Sequence, residues 1–187
     1  MLNVTAVVTP VVPLRALVAD HVATSPREVE AKERFLSELD RLGDGDPCSE
    51  QADPTHVTAS AIVVGRRGTV LHLHKRLGRW MQPGGHIDPG EAPPDAALRE
   101  ATEELGLAVD HPEGGPRLIN VDVHEAALGH THLDLRYLVL GVDADPVPPP
   151  GESPEARWFS WEDAARQADA ALAPGLVVAR AAWEHLA

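Results

Sequence analysis

Cysteine is almost absent from this chain. The one residue, Cys48, excludes an intrachain disulfide among 187 residues and fits a reducing compartment. Alone, it reads as a bystander rather than a nucleophile. Basic charge is scarce as well: 16 Lys and Arg face 29 Asp and Glu, a formal net charge of −13. That balance argues against nucleic acid or an anionic membrane bound through a basic surface. It leaves room for a small phosphorylated substrate, which needs only a local positive site. Long apolar runs are missing, and none approaches the ~18 residues of a membrane-spanning helix. The moderately apolar start, MLNVTAVVTPVVPLRALVADH, lacks the positive charge of a secretory signal and is broken by Pro10 and Pro13. The expectation is a soluble, cytoplasmic protein with no membrane partner. No internal repeat marks a solenoid or propeller.

What is present suits one folded domain with additions. A hydrophobic fraction of 43% is ordinary for a globular protein, and a chain of this length can bury a full core. Residues 1–12 favour a short extended segment through Val4, Val7, Val8, Val11 and Val12. Leu14, Leu17, Val18 and His21 then fall at helical spacing from Pro13 to about Ala23. A stronger helix follows, because Ser25-Pro26-Arg27-Glu28 combines a capping box with proline at the first helical position. Phe35, Leu36, Leu39 and Leu42 make its apolar stripe, and Gly43 ends it. Two successive helices invite comparison with a DNA-reading helix pair. However, Glu28, Glu30, Glu33 and Glu38 offset Arg27, Lys32, Arg34 and Arg41, and a recognition helix needs a basic footprint. Packing on the main domain, or at a homodimer contact, is the preferred reading. Asp44 to Thr55 is polar and turn-rich, a natural linker. Residues 1–55 thus read as an N-terminal extension of two helices and a linker, ahead of a main domain at 56–187.

In the main domain, Val57, Ala59, Ala61 and Val63 alternate with Thr58, Ser60, Ile62 and Val64 in a strand. Val70, Leu71 and Leu73 form the next. Val121 and Val123, then Leu133, Leu135, Tyr137 and Val139, give two more around a turn near Gly129, and Trp158-Phe159 closes a short last one. Ser160 opens a helix, and a terminal helix after Pro174 carries Leu176, Ala179, Trp183 and Leu186 as its stripe. Strands and helices mixed in this order point to an α/β or α+β fold.

The stretch Gly85 to Leu107, GHIDPGEAPPDAALREATEELGL, carries the chemistry. Pro93-Pro94-Asp95 starts a helix, since proline fits the first turn and an acid favours the positive end. Gly106 stops it. Glu100, Glu103 and Glu104 crowd one stripe of that helix, with Ala97, Leu98, Ala101 and Leu105 on the other. Like charges at this spacing cost helix stability, and Arg99 alone cannot balance three acids. Such a cluster suggests a divalent cation, and the preceding glycines let backbone approach a ligand or metal closely.

These residues resemble the Nudix box, G-x5-E-x7-R-E-U-x-E-E-x-G-U with U aliphatic. Gly85, Glu91, Arg99, Glu100, Glu103, Glu104 and Gly106 meet its fixed positions and Leu107 its last aliphatic one, while Ala101 is smaller than usual. Family-like features run from about His56 to Phe159. The resemblance implies an α/β/α sandwich with a mixed sheet, to which the N-terminal helices are an addition. It also implies Mg²⁺-dependent (or Mn²⁺-dependent) hydrolysis of a nucleoside diphosphate linked to another moiety, or of a related diphosphate. The implied metal shell is Glu100 and Glu104, with Glu103 and the Gly85 carbonyl. Glu103 is also a candidate to orient or deprotonate the attacking water, and Arg99 is expected to pair with Glu91.

Substrate selection lies outside the box. Lys75, Arg76 and Arg79 are candidate phosphate contacts before Trp80, which would either stack on a base or cap the core. His132, Asp134 and Arg136 share one strand face, which either lines the pocket or is the solvated face of an edge strand. Asp122, His124 and Glu125 are weaker pocket candidates. His72 and His74 also share a face, without further ligands at zinc spacing. Marks of particular Nudix subfamilies are absent: Val123 and His124 stand where a proline or tyrosine would be, and Gln82 precedes Pro83-Gly84-Gly85. Two other functions stay open. One is a nucleotide sensor on the same fold, which commonly erodes carboxylates that this chain retains. The other is an isopentenyl-diphosphate-type isomerase, suggested by Trp80 and Gly85-His86. That chemistry uses a cysteine near this point, whereas Cys48 precedes the domain.

Overall fold

The computed structural model describes residues 11–186. Two helices come first, α1 (Val11–Asp20) and α2 (Pro26–Leu42). Ser25 is extended and its hydroxyl accepts from Glu28 N, Pro26 opens the first turn, and Gly43 closes α2 at φ 61°. Val11 and Val12 lie within α1 rather than in an extended segment. Their β-branched preference is weak and yields to a helix that buries Leu14 and Val18 one turn apart. The rest of that expected segment, residues 1–10, lies outside the described residues.

Among the described residues, eight strands form one sheet: β1 (Thr55–Gly65), β2 (Gly68–Leu73), β3 (Trp80–Met81), β4 (Gly84–His86), β5 (Val109–Asp110), β6 (Arg117–Glu125), β7 (Thr131–Gly141) and β8 (Ala156–Phe159). The spatial order is β3-β2-β1-β7-β5, with β4 on β1, β6 on β7 and β8 on β2. Of these strands only β1 and β7 pair in parallel, so the sheet is mixed. Helices α3 (Pro93–Leu105), α4 (Trp161–Gln167) and α5 (Ala173–Leu186) pack around it.

The side-chain period of two sorts the core into two layers. Val57, Ala59, Ala61 and Val63 of β1 and Leu133, Leu135, Tyr137 and Val139 of β7 face one way. They join Leu14, Val18, Phe35 and Leu39 of α1 and α2 and Ala97, Ala101 and Leu105 of α3 in a single cluster. Ile62, Val64 and Leu138 face the other way, onto Leu172, Leu176 and Ala179. Helices thus cover both faces, giving the α/β/α sandwich. The helices before β1 share the main domain's core, so most of their apolar stripe faces the chain's own sheet. No helix among the described residues is long and apolar enough to cross a membrane.

Candidate active site

Helix α3 is aimed by its buried stripe. Ala96, Ala97, Ala101 and Leu105 pack inward, which turns Arg99, Glu100, Glu103 and Glu104 toward β4. Gly106 ends the helix in the left-handed region at φ 57°, its N–H donating to Thr102 O.

Beside it, β4 comes close because it lacks side chains. A Cβ on Gly84 would stand 2.3 Å from Ser60 Cβ, and one on Gly85 would stand 2.7 Å from the Glu100 carboxylate. Gly84 N donates to Glu104 Oε2 at 2.9 Å. Arg99 holds the other side. Its Nε and Nη2 donate to the two oxygens of Glu91 at 2.9 and 3.0 Å, a bidentate clamp. The same guanidinium donates to His86 O at 2.9 Å, to Glu100 Oε1 at 2.8 Å and to Glu103 Oε2 at 3.3 Å. Glu91 also accepts from Asp88 N at 3.0 Å, which ties the loop to the helix.

The electrostatics are those of a crowded anionic site. Burial pushes Glu104 up to about 7; the Gly84 hydrogen bond opposes this, and the charges of Glu100, Glu152 and Glu103 add to it. Burial likewise raises Glu100 against the pull of Arg99. Glu91 differs: burial opposes its ionisation, but Arg99 and the Asp88 amide outweigh it and hold the carboxyl below its ordinary range. Two half-buried carboxyls displaced toward neutrality, with an all-oxygen donor set, fit a hard divalent cation, whose charge would reverse that displacement.

Two neighbours were not legible as part of this site. Glu152, on the loop between β7 and β8, adds its negative charge to Glu104. His72 Nε2 lies 3.8 Å from Glu104 Oε2, and burial, then His74, holds this imidazole down to about 4. Loop packing and strand pairing bring both here, and no local motif marks them.

The expected substrate residues are dispersed. Arg76 is exposed on the turn between β2 and β3. Arg79 there pairs with Asp169 at 3.2 Å, and Lys75 donates to Gly151 O. Trp80 packs edge-on against Phe159 at 4.8 Å, with Arg157 4.7 Å over its face. Its ring therefore closes the second core rather than standing open.

The alternative of a solvated edge strand for His132, Asp134 and Arg136 is overturned. β7 lies inside the sheet because it pairs with β1 along ten register positions. Arg136 is only 2% exposed. It donates to Asp134 at 2.9 Å, Asn120 at 3.1 Å and Asp122 at 3.1 Å, and also to Ala171 O. Ser60 Oγ donates to Asp134 at 2.8 Å, which links this buried network to the residue beneath Gly84. His132 sits among other imidazoles, and burial, then His124 and His56, holds it down to about 3. Asp122 also takes Arg27 from α2 at 3.0 Å, and Glu125 takes Arg34 at 3.1 Å.

The NUDIX domain model matches residues 54–180. The chain belongs to the NUDIX family. Among curated relatives, an isopentenyl-diphosphate Delta-isomerase of Brevibacterium linens is 29% identical over 128 residues, 65% of this chain and 70% of that one. A putative 8-oxo-dGTP diphosphatase 3 of Mycobacterium tuberculosis is 33% identical over 126 residues, 63% of this chain and 53% of that one. The chain thus spans only about half the length of this mycobacterial relative. Among solved structures, a NUDIX hydrolase from Clostridium perfringens superposes with a TM-score of 0.58 at 30% identity, covering 71% of this chain and 98% of that one.

Proposed function

We propose that this NUDIX chain hydrolyses a diphosphate bond in a nucleoside diphosphate linked to another moiety, or in a related organic diphosphate, with Mg²⁺ as its metal and Mn²⁺ as a substitute. One observation carries the reading: Glu104 and Glu100 are seated against Gly84 and Gly85 while Arg99 clasps Glu91. The diphosphatase among its relatives supports the same bond class. Glu100, Glu103 and Glu104, with the Gly85 carbonyl, would hold the cation. When bound, that cation neutralises the diphosphate and the charge that develops on it.

The chain's own residues do the rest. Glu103 is the most open of the three carboxylates at 57% exposure, so it can meet the attacking water, orient it and take its proton. Arg99 stays engaged with Glu91 and fixes α3 against the loop. Arg76 and Arg79 offer positive charge to phosphate from the exposed turn. Asp134 and Arg136 act from below, holding Ser60 and hence the close approach of β4.

The test is a panel of nucleotide sugars, ADP-ribose, dinucleoside polyphosphates, NTPs and prenyl diphosphates, read by phosphate release through a coupled phosphatase. Turnover that requires Mg²⁺ or Mn²⁺ is expected on at least one substrate. Glu104→Gln should lose about 100-fold or more of it with an unchanged circular dichroism spectrum. Wild-type turnover in that variant would remove the site assignment, and silence across the panel would favour a sensor.

The likeness to the Brevibacterium isomerase favours a second reading, double-bond migration in a prenyl diphosphate without phosphate release. Against it, the residues before Gly85 are Gln82-Pro83-Gly84, and Cys48 is 5% exposed within the first core cluster. The same panel, with the prenyl products analysed, separates the two.

A further inference from the structure

Several histidines gather at one end of the sheet, beyond the carboxylates of α3. Parallel pairing sets His56 of β1 beside His132 of β7, and β4 brings His86 opposite Thr58. Ring nitrogens of His56, His86 and His132 all lie within 4.8 Å of one another. The ring centroids are 5.0 Å apart for His56–His86, 5.0 Å for His56–His132 and 5.6 Å for His86–His132. Glu50, from the turns before β1, reaches the same place, with Oε2 3.3 Å from His86 Nε2 and 4.0 Å from His130 Nδ1.

An independent observation points to a ligand. His56 is 0% exposed, and neither of its ring nitrogens makes a hydrogen bond of good geometry among the described residues, the Asp53 backbone lying near without completing one. A buried polar group left unsatisfied costs about 1–3 kcal/mol, and a phenyl ring would fill such a space without that cost. One of those nitrogens instead lies within 4.8 Å of a ring nitrogen on each of His86 and His132, and the Glu50 carboxylate reaches the same place.

We propose that His56, His86 and His132, with Glu50 as a fourth ligand, form a Zn²⁺ site. Imidazole nitrogen suits Zn²⁺ and its neighbours in the first transition row, whereas Mg²⁺ takes oxygen. Three histidines and one carboxylate fill a tetrahedral shell. Zn–N bonds of about 2.0–2.1 Å put ligand atoms about 3.4 Å apart, a closure that needs small rotations of all three rings, of which the exposed His86 is the freest. The chain then carries two metal sites of different chemistry, one all-oxygen on α3 and one nitrogen-rich across β1, β4 and β7. They meet at the end of β4. His86 follows Gly85, and its carbonyl accepts from Arg99. A metal on its ring pins that strand end where Gly84 and Gly85 face Glu104 and Glu100.

The test titrates the full chain with Zn²⁺ against a chromophoric chelator, in excess Mg²⁺ so that the carboxylates of α3 are already engaged. Co²⁺ serves as the spectroscopic probe. A single Mg²⁺-resistant equivalent of Zn²⁺ is expected, with Co²⁺ giving the intense visible bands of a tetrahedral site. His86 is 48% exposed, so His86→Gln leaves the core intact and should weaken Zn²⁺ tenfold or more. His132→Gln should do the same, while Glu104→Gln should leave Zn²⁺ affinity unchanged. Wild-type affinity in His86→Gln, a loss confined to Glu104→Gln, or no Mg²⁺-resistant Zn²⁺ in the wild type would each overturn the site.

Discussion

Arg136 and Arg34 both end in ion pairs of 3.1 Å, and burial alone separates what they contribute. Arg34 and Glu125 are 48% and 67% exposed, where solvent leaves a pair worth about 0–1 kcal/mol. Arg136, Asp122 and Asp134 are 2%, 2% and 3% exposed. Arg136→Met would leave Asp134 buried without a cation and Asp122 with only Arg27 and the His124 ring, and should cost about 3–5 kcal/mol in urea denaturation. Arg34→Ala should cost under about 1 kcal/mol, and equal losses in the two variants would refute the burial argument. Acid supplies a second check. Burial opposes ionisation of Asp122, but the His124 hydrogen bond and the charges of Arg136, His124 and Arg27 outweigh it and hold the carboxyl down to about 2. A folded value below the ordinary one, near 3.8, means that the unfolded chain takes the proton first. The stabilisation is therefore complete above about pH 4 and is lost as pH falls through about 2. Stability measured between pH 5 and 2 should fall less steeply in Asp122→Asn than in the wild type.

Helix α3 shows which elements a sequence reveals. Its proline start, small-residue stripe, carboxylates and glycine stop are all local signals, and the structure carries them at Pro93, Ala97, Glu100 and Gly106. α2 is legible for the same reason, through Ser25 and Gly43. β7 is legible as a strand but not in its place. Its parallel partner β1 lies far away in sequence, and nothing local tells a central strand from an edge. For that reason Asp134 and Arg136 read equally well as pocket or solvent. The histidines at 56, 86 and 132 are invisible as a group on the same grounds, since only sheet register assembles them. The two helix stops also differ in what a side chain would meet. Gly43 has φ 61° and open space where a Cβ would stand, whereas Gly106 has φ 57° and a Cβ there would stand 1.9 Å from Val147 O. Gly43→Ala should cost only backbone strain, about 1–3 kcal/mol. Gly106→Ala adds a collision with backbone and should lower the melting temperature further. It should also reduce Mg²⁺-dependent turnover, because the last turn of α3 carries Glu104.

At the scale of the whole molecule, the family match and the folded unit begin at different places. The match starts at residue 54, yet Leu14, Val18, Phe35 and Leu39 lie in the same cluster as β1 and β7. α2 also closes an edge. Among the described strands, β6 pairs only with β7, so its outer amides would face solvent or a second chain. Glu28, 1% exposed, accepts from Val121 N at 3.1 Å and from Thr24 N and Oγ1 at 2.7 and 2.9 Å. A fragment starting at Pro54 keeps every residue of the box but loses this cover, exposing both an apolar sheet face and a strand edge. It is expected to be aggregated or insoluble when expressed alone, as judged by gel filtration. Glu28→Ala isolates the edge from the apolar face. It should destabilise the full chain by about 1–3 kcal/mol and speed hydrogen exchange at the Val121 amide, with the α1 and α2 core packing retained. A monomeric, folded 54–187 fragment with turnover equal to the full chain would show instead that the first two helices are dispensable to the sheet they cover.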